Sequence, residues 1–195
     1  MGEPLHNFGP VVESIRILLD QQAFDFSQRK VTVSTCGLAP QIIQFGREVP
    51  ARLAVSLNAA NDQSRTAIMP INQRYDLEKL MAACRDYAQG KRYPVTFEYV
   101  LMKDLNDSRK DAAELVRCIA NTPCKVNLIP FNEYEGSPYH RPEEERILAF
   151  HKYLADRGFQ VNIRYSKGLD AMAACGQLAI SLTEEELRCS ESLAS

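Results

Sequence analysis

Arg29-Lys30-Val31-Thr32-Val33-Ser34-Thr35 and, further on, Leu53-Ala54-Val55-Ser56-Leu57-Asn58 are the stretches whose reading decides the fold. Within them Lys30 to Thr35 is short and β-branched, and Leu53 to Leu57 is short and reads as a second strand. Both also end on hydroxyl or amide side chains. Between them, Pro40 to Glu48 has the spacing of a short helix. Strand, helix, strand is the repeating unit of parallel sheets, because parallel strands can be joined only by a crossover.

The same alternation continues outward. Pro10 to Asp20 predicts a first helix, with Val11, Val12, Ile15, Leu18 and Leu19 on one stripe and Pro10 at a position that needs no amide donor. Asp76 caps a helix that carries Leu77, Leu80, Met81 and Cys84 on one face and stops at Gly90. Val95 to Met102 reads as a third strand. Ser108 and Asp111 form a capping-box start for a helix bearing Leu115, Val116 and Ile119. Lys125 to Ile129 is a fourth strand. Pro142 opens a helix with Ile147, Phe150 and Leu154 inward, closed by Gly158, and Phe159 to Tyr165 is a fifth strand. The strands look nearly unalternating, as in a sheet covered by helices on one face and filled on the other. The expected class is therefore α/β: a partial (β/α) barrel of parallel strands with outer helices, with a doubly wound sheet as competitor. In either, chemistry gathers at the C-terminal ends of strands, which here offer Ser34, Ser56 to Asn58, Met102 to Asp104 and Asn132.

Composition bounds the function. With 195 residues, 45% of them hydrophobic, the chain can bury a real core. No run of 18 apolar residues exists to span a membrane, and no membrane partner is expected. The first ten residues have neither a basic start nor an apolar stretch, so a cytoplasmic location is expected. The 23 basic and 25 acidic residues leave a net charge of −2, which speaks mildly against a nucleic-acid partner. Six scattered cysteines, Cys36, Cys84, Cys118, Cys124, Cys175 and Cys189, show no CxxC spacing. They signal neither a disulfide framework nor zinc, and most read as small buried hydrophobes.

Two terminal stretches add to this pattern: Met1-Gly2-Glu3-Pro4 and Ala173-Ala174-Cys175-Gly176-Gln177-Leu178. Taken singly, a surface turn explains the first, and a buried inert thiol is the commoner reading of any cysteine. Together with the strand ends, in this order, they resemble the radical SAM adenine-C2 methyltransferases of ribosomal and transfer RNA along nearly the whole chain. The resemblance implies that Gly2 and Glu3 hold the amino group of S-adenosylmethionine (SAM), an ammonium that wants fixed acceptors. It implies Ser34 at the SAM carboxylate, Ser56-Leu57-Asn58 near the ribose, and Asn132, in Asn127-Leu128-Ile129-Pro130-Phe131-Asn132, near the adenine. The family has His where this chain has Asn58. The run Gly168-Leu169-Asp170-Ala171-Met172 is also less acidic than the family's.

The resemblance further implies that Cys175 carries the methyl group. Adenine C2 is an electron-poor carbon that cannot attack the SAM methyl directly. In the family, one SAM methylates the cysteine sulfur, a good nucleophile as a thiolate. A second SAM, cleaved reductively at a 4Fe-4S cluster, yields a radical that takes hydrogen from the methylated cysteine, whose carbon then adds to C2. The partners implied are 23S ribosomal RNA, transfer RNA as a further candidate, SAM and an electron donor for the cluster. No CxxxCxxC occurs here, and scattered cysteines cannot replace closely spaced thiolates. The chain is thus expected to be the C-terminal portion of a longer enzyme whose cluster ligands, resolving cysteine and general base lie upstream. Residues 1–180 would be part of a radical SAM core domain and 181–195 a short polar tail.

A C8-directed methyltransferase and a cluster-less SAM- or RNA-binding module remain as alternatives. His6, His140 and His151 give no metal spacing. Gln28-Arg29-Lys30 and Gly90-Lys91-Arg92 are small basic spots, equally consistent with solvated loops and with phosphate contact.

Overall fold

Each strand of this chain hands over to a helical connection, and the computed structural model shows what those connections build. It describes residues 2–134 and 136–165. The strands are β1 (Thr32–Thr35), β2 (Arg52–Ser56), β3 (Val95–Leu101), β4 (Cys124–Pro130) and β5 (Gln160–Ile163), and all neighbouring pairs are parallel. Their order in the sheet is β1-β2-β3-β4-β5. Sequential order means that every crossover steps the same way, and right-handed crossovers then place all helices on one face. A doubly wound sheet needs a reversal of order, so the partial barrel stands and its competitor falls.

The outer layer comprises α1 (Phe8–Leu19), α2 (Ala39–Glu48), α4 (Leu77–Ala88), α5 (Arg109–Ile119) and α6 (Glu144–Ala155). The expected caps are present: Asp76 accepts the Lys79 amide at 2.9 Å, and Ser108 with Asp111 forms a capping box. Pro142 lies just outside α6, whose N-cap is Glu143. Gly46 lets α2 approach α4 closely, since a Cβ there would lie 3.0 Å from the Tyr87 ring. Phe45 stacks on Tyr87, and the Tyr87 hydroxyl donates to the Ala51 carbonyl at 2.7 Å.

In one respect the strands depart from expectation. They alternate. Val33, Leu53, Val55, Phe97, Tyr99, Val126 and Leu128 are buried beneath the helices, while Ser34, Ser56, Glu98, Asn127 and Asn162 are exposed or half-exposed on the other face. Buried Ala54 and Thr96 interrupt that second row and disguise the period of two in the sequence. The face opposite the helices is polar, and it is not filled by the described chain.

A short helix, α3 (Asp62–Ile68), was not foreseen. It lacks an apolar stripe, and its inward residue is Arg65, which is fully buried. The Arg65 guanidinium donates to the carbonyls of Leu57 (Nε, 3.1 Å), Cys36 (Nη2, 2.9 Å) and Ser56 (Nη2, 3.3 Å), and to Asn72 Oδ1 (Nη1, 2.9 Å). Asn72, in a 3-10 turn (Pro70–Gln73), donates in turn to Asp62 Oδ1 at 2.9 Å. The loops leaving β1 and β2 are thus gathered around one cation.

The N-terminal segment is tied to the same rim. Glu3 caps a 3-10 turn (Pro4–Asn7), accepting the Leu5 amide at 3.0 Å, and its other oxygen accepts the Cys36 amide at 2.7 Å. Burial opposes ionisation of Glu3, but the hydrogen bonds from Cys36 and Leu5 outweigh it, and its pKa lies below the ordinary carboxylate value. A depressed folded pKa contributes stability above the unfolded value, about 4.3, and that contribution is lost as pH falls through the folded value. Urea titrations should show the wild-type chain losing its advantage over Glu3→Gln only in that acid range. A pH-independent difference would contradict the ionised contact. Separately, Ser108→Ala should cost about 1 kcal/mol with an unchanged denaturant slope.

Candidate cofactor site at the strand C-termini

The sheet register aligns the polar residues of the open face. Ser34 pairs with Ala54, which pairs with Thr96 and then Lys125. One row nearer the C-terminal rim, Ser56, Glu98, Asn127 and Asn162 stand side by side on four strands. Asn127 Nδ2 donates to Glu98 Oε1 at 2.9 Å, Asn162 Nδ2 to Asn127 Oδ1 at 3.3 Å, and Arg164 Nη1 to Glu98 Oε1 at 3.4 Å. Each amide in this ladder fixes the orientation of the next. The hydroxyls of Ser34 and Ser56 have no hydrogen-bond partner among the described residues.

The expected site residues fall along this rim in different ways. Ser34 and Ser56 lie on the open face near the ends of adjacent strands. Glu3 reaches the end of β1 through Cys36: one oxygen accepts the Leu5 amide and the other the Cys36 amide, and the side chains of Cys36 and Thr35 add further hydrogen bonds to the carboxylate. Gly2 is exposed, and a Cβ there would meet nothing within 4 Å. Asn132 follows β4 by two residues and is half-buried. Leu57 is different: its side chain is fully buried, its N–H donates to the Glu98 carbonyl, and its carbonyl accepts Arg65 and the Ala59 amide. It contributes position rather than a free polar group. Cys175 and the run 168–172 lie outside the described residues, as does the tail 181–195.

Asn58, where the resemblance implies His, holds the junction between β2 and β3. It sits at φ +58°, a left-handed conformation in which Asn and His are both enriched. Its Oδ1 accepts the Val100 amide at 3.0 Å, pinning the β2 exit to β3. Asn106, buried, completes that junction by donating to the Asn58 and Val100 carbonyls, both at 2.7 Å, while accepting the Met102 amide. Farther along the rim, Arg146 bridges Asp104 (2.6 Å) and Asp107 (2.9 Å), and Lys103 pairs with Glu143 at 2.9 Å. The Asp104 hydrogen bond and the charge of Asp107 raise the Arg146 pKa further.

Arg65, Glu98 and Asn106 were not singled out from the sequence. Glu98 was findable, as the one charge inside Val-Thr-Phe-Glu-Tyr-Val-Leu. Arg65 and Asn106 lie in polar connections that carry no periodic signal.

A ligand that is both a zwitterionic amino acid and a nucleoside needs hydroxyl donors, carboxylate acceptors and amides in fixed positions. The open face supplies all three, so these residues fit SAM. They do not fit an iron–sulfur cluster. Burial pushes the thiols of Cys36, Cys84 and Cys124 up to about 12 and that of Cys118 to about 11, so they are protonated. Among the described residues no three His, Cys, Asp or Glu side chains are placed to hold a metal, and no helix is long and apolar enough to cross a membrane.

No protein-family model matches the chain. It is 51% identical over 183 residues to the dual-specificity RNA methyltransferase RlmN of Syntrophotalea carbinolica, covering 94% of this chain and 49% of that protein. It is 52% identical over 179 residues to the RlmN of Pelobacter propionicus, covering 91% and 52%. A solved radical SAM methyltransferase from Sphaerobacter thermophilus superposes with a TM-score of 0.86 at 45% identity, over 91% of this chain and 52% of that one. A domain of a pyruvate-formate lyase-activating enzyme from Bacteroides vulgatus shares the fold, with a TM-score of 0.65 at 17% identity. The chain spans about half the length of the curated relatives it matches, and along that half its sequence and fold are similar to those of radical SAM RNA methyltransferases.

Proposed function

We propose that this chain supplies the SAM-holding strand ends and the methyl-carrying cysteine of an enzyme that methylates C2 of an adenosine in 23S ribosomal RNA, with transfer RNA as a second substrate. The observation that carries the reading is the placement of Ser34, Ser56 and Asn58 at adjacent strand C-termini beside a tethered Glu3, on a polar face, in the order the resemblance implies. Near-half identity to RNA methyltransferases along nine-tenths of the chain supports it.

In this reading Glu3 accepts hydrogen bonds from the SAM ammonium, the Ser34 hydroxyl donates to its carboxylate, and Ser56 and Asn58 lie along the ribose. Asn132 flanks the adenine. Bound there, SAM supplies a methyl group on an electron-poor sulfonium. The Cys175 thiolate, having given up its proton, takes that methyl as a thioether while the sulfonium S–CH3 bond breaks and S-adenosylhomocysteine leaves. The carbon so held on Cys175 would be the one added to the RNA base once a hydrogen has been taken from it. Cys36, Cys84, Cys118 and Cys124 are poor candidates for the same role, because a thiol held protonated is a weak nucleophile. A 4Fe-4S cluster with its electron donor would act from residues outside this chain, in a cytoplasmic enzyme.

The test joins the chain to a cluster-bearing upstream segment and incubates it with SAM, a reductant and RNA. Peptide mass spectrometry should find a methyl on Cys175, and nucleoside analysis should find 2-methyladenosine. Cys175→Ala should abolish both while SAM binding persists. Replacing Cys84 or Cys118 by Ala should leave the products unchanged at a cost of about 1 kcal/mol in stability. Adenine methylation by the Cys175→Ala protein would overturn the carrier role.

A further inference from the structure

The two small basic spots of the sequence, Gln28-Arg29-Lys30 and Gly90-Lys91-Arg92, are far apart along the chain but not in the fold. The first is a 3-10 turn one residue ahead of β1, and the second ends two residues ahead of β3. Since β1, β2 and β3 are adjacent and parallel, their N-terminal ends lie side by side. Between the two spots stands Arg52, the first residue of β2. A cleft lined by Gln28, Tyr87, Lys91, Arg92 and Tyr93 joins the two spots directly.

The contacts within this cluster order it. Arg52 Nη1 donates to the Arg29 carbonyl at 3.3 Å, and its guanidinium lies 5.6 Å from the centre of the Tyr93 ring. The Arg92 guanidinium lies 5.7 Å from the same ring. Lys91 Nζ donates to the carbonyls of Gly46 and Val49. Arg29, Lys30 and Arg92 are exposed, and Arg52, Lys91 and Tyr93 are half-exposed. Among the described residues, none of these five cations is within ion-pairing distance of a carboxylate. That is unexpected for a chain with 25 acidic residues and a net charge of −2. Gathering five like charges costs repulsion, which a polyanionic partner would relieve.

Two features point to a nucleic acid rather than an acidic protein. Three of the five cations are guanidiniums, which grip phosphate in a bidentate fork. Aromatic faces are also interleaved with the charge: Tyr93 stands between Arg52 and Arg92, and the exposed pair Phe24 and Phe26, 6.1 Å apart, immediately precedes the first basic spot. Unpaired bases stack on such rings, whereas a run of carboxylates has no use for them. We propose that the N-terminal ends of β1, β2 and β3 form a second RNA-contacting surface, which holds a single-stranded stretch of the substrate by its phosphates, at the end of the sheet opposite the SAM site. The RNA methyltransferase reading names the partner; the geometry of the surface does not depend on it.

The test measures binding of a fluorescently labelled oligouridylate to the 195-residue chain by anisotropy across a series of salt concentrations. SAM binding is measured in parallel by equilibrium dialysis, and far-UV circular dichroism reports folding. The triple variant Arg29→Glu, Lys30→Glu, Arg92→Glu should bind the RNA at least about tenfold more weakly. Its salt dependence should be shallower by about 2 in log–log slope, the loss of three single-strand phosphate contacts. SAM binding should be unchanged. If charge reversal unfolds the chain, the neutral Gln triple carries the same expectation with a smaller loss. Undiminished RNA binding with an unchanged salt slope overturns the proposal. So does polyglutamate competing as well as RNA of equal charge, which would make the partner an acidic protein. Absence of SAM binding in every variant would sink the cofactor reading instead, while the RNA arm still judges this surface.

Discussion

The loops that build the candidate site leave β1 and β2 from separate crossovers, and nothing in the sheet hydrogen bonding fixes their relative positions. A single buried guanidinium does. Arg65 takes the carbonyls of Cys36, Ser56 and Leu57 at once, and its fourth bond runs through Asn72 to Asp62. Burial pulls its pKa down, and negative neighbours including Asp62 oppose that pull. A buried cation costs desolvation, so the arrangement is sustained only because its bonds are satisfied. Arginine suits the place better than lysine, since a planar fork can hold several fixed acceptors together. Glu3 reaches the same residue from the other side, by way of the Cys36 amide. Asn58 and Asn106 repeat the device between β2 and β3.

The second constraint is the two-sidedness of the sheet. Strands of a parallel sheet usually carry apolar side chains on both faces. Here one face packs under helices, while the other presents hydroxyls, amides and one carboxylate in register. Such a row is expensive to keep dry unless it is paired or meets a polar ligand. The ladder from Asn162 through Asn127 to Glu98 satisfies part of that demand internally. Ser34 and Ser56 remain available for a ligand. Packing and recognition are thereby assigned to opposite faces of the same strands, which lets the site vary without disturbing the core.

Much of this was legible in the sequence. Strand and helix positions followed from periodicity, β-branched runs and capping residues: Asp76 and Ser108 cap as expected, and Gly90 and Gly158 adopt positive φ after their helices. The rim positions Ser34, Ser56, Asn58 and Asn132 were legible because strand ends in a parallel α/β fold are where polar residues converge. What stayed hidden was whatever depends on long-range contact. Asp62–Ile68 has no apolar stripe, because its inward residue is an arginine whose partners lie in three other loops. The polar row on the open face was masked by Ala54 and Thr96, which make the strands look uniformly apolar. The convergence of the two basic spots is a matter of strand register, which composition does not encode.

The central claim is that strand ends organised by Arg65 form the SAM site. Equilibrium dialysis of labelled SAM against the wild-type chain and an Arg65→Met variant tests it most directly. Met is close to Arg in volume, and far-UV circular dichroism checks that the variant keeps its sheet. The substitution leaves the carbonyls of Cys36, Ser56 and Leu57 without their common donor. The account predicts SAM binding by the wild-type chain and a loss of at least about tenfold, or about 1.4 kcal/mol, in the variant. Equal SAM affinity in a folded Arg65→Met chain would contradict it.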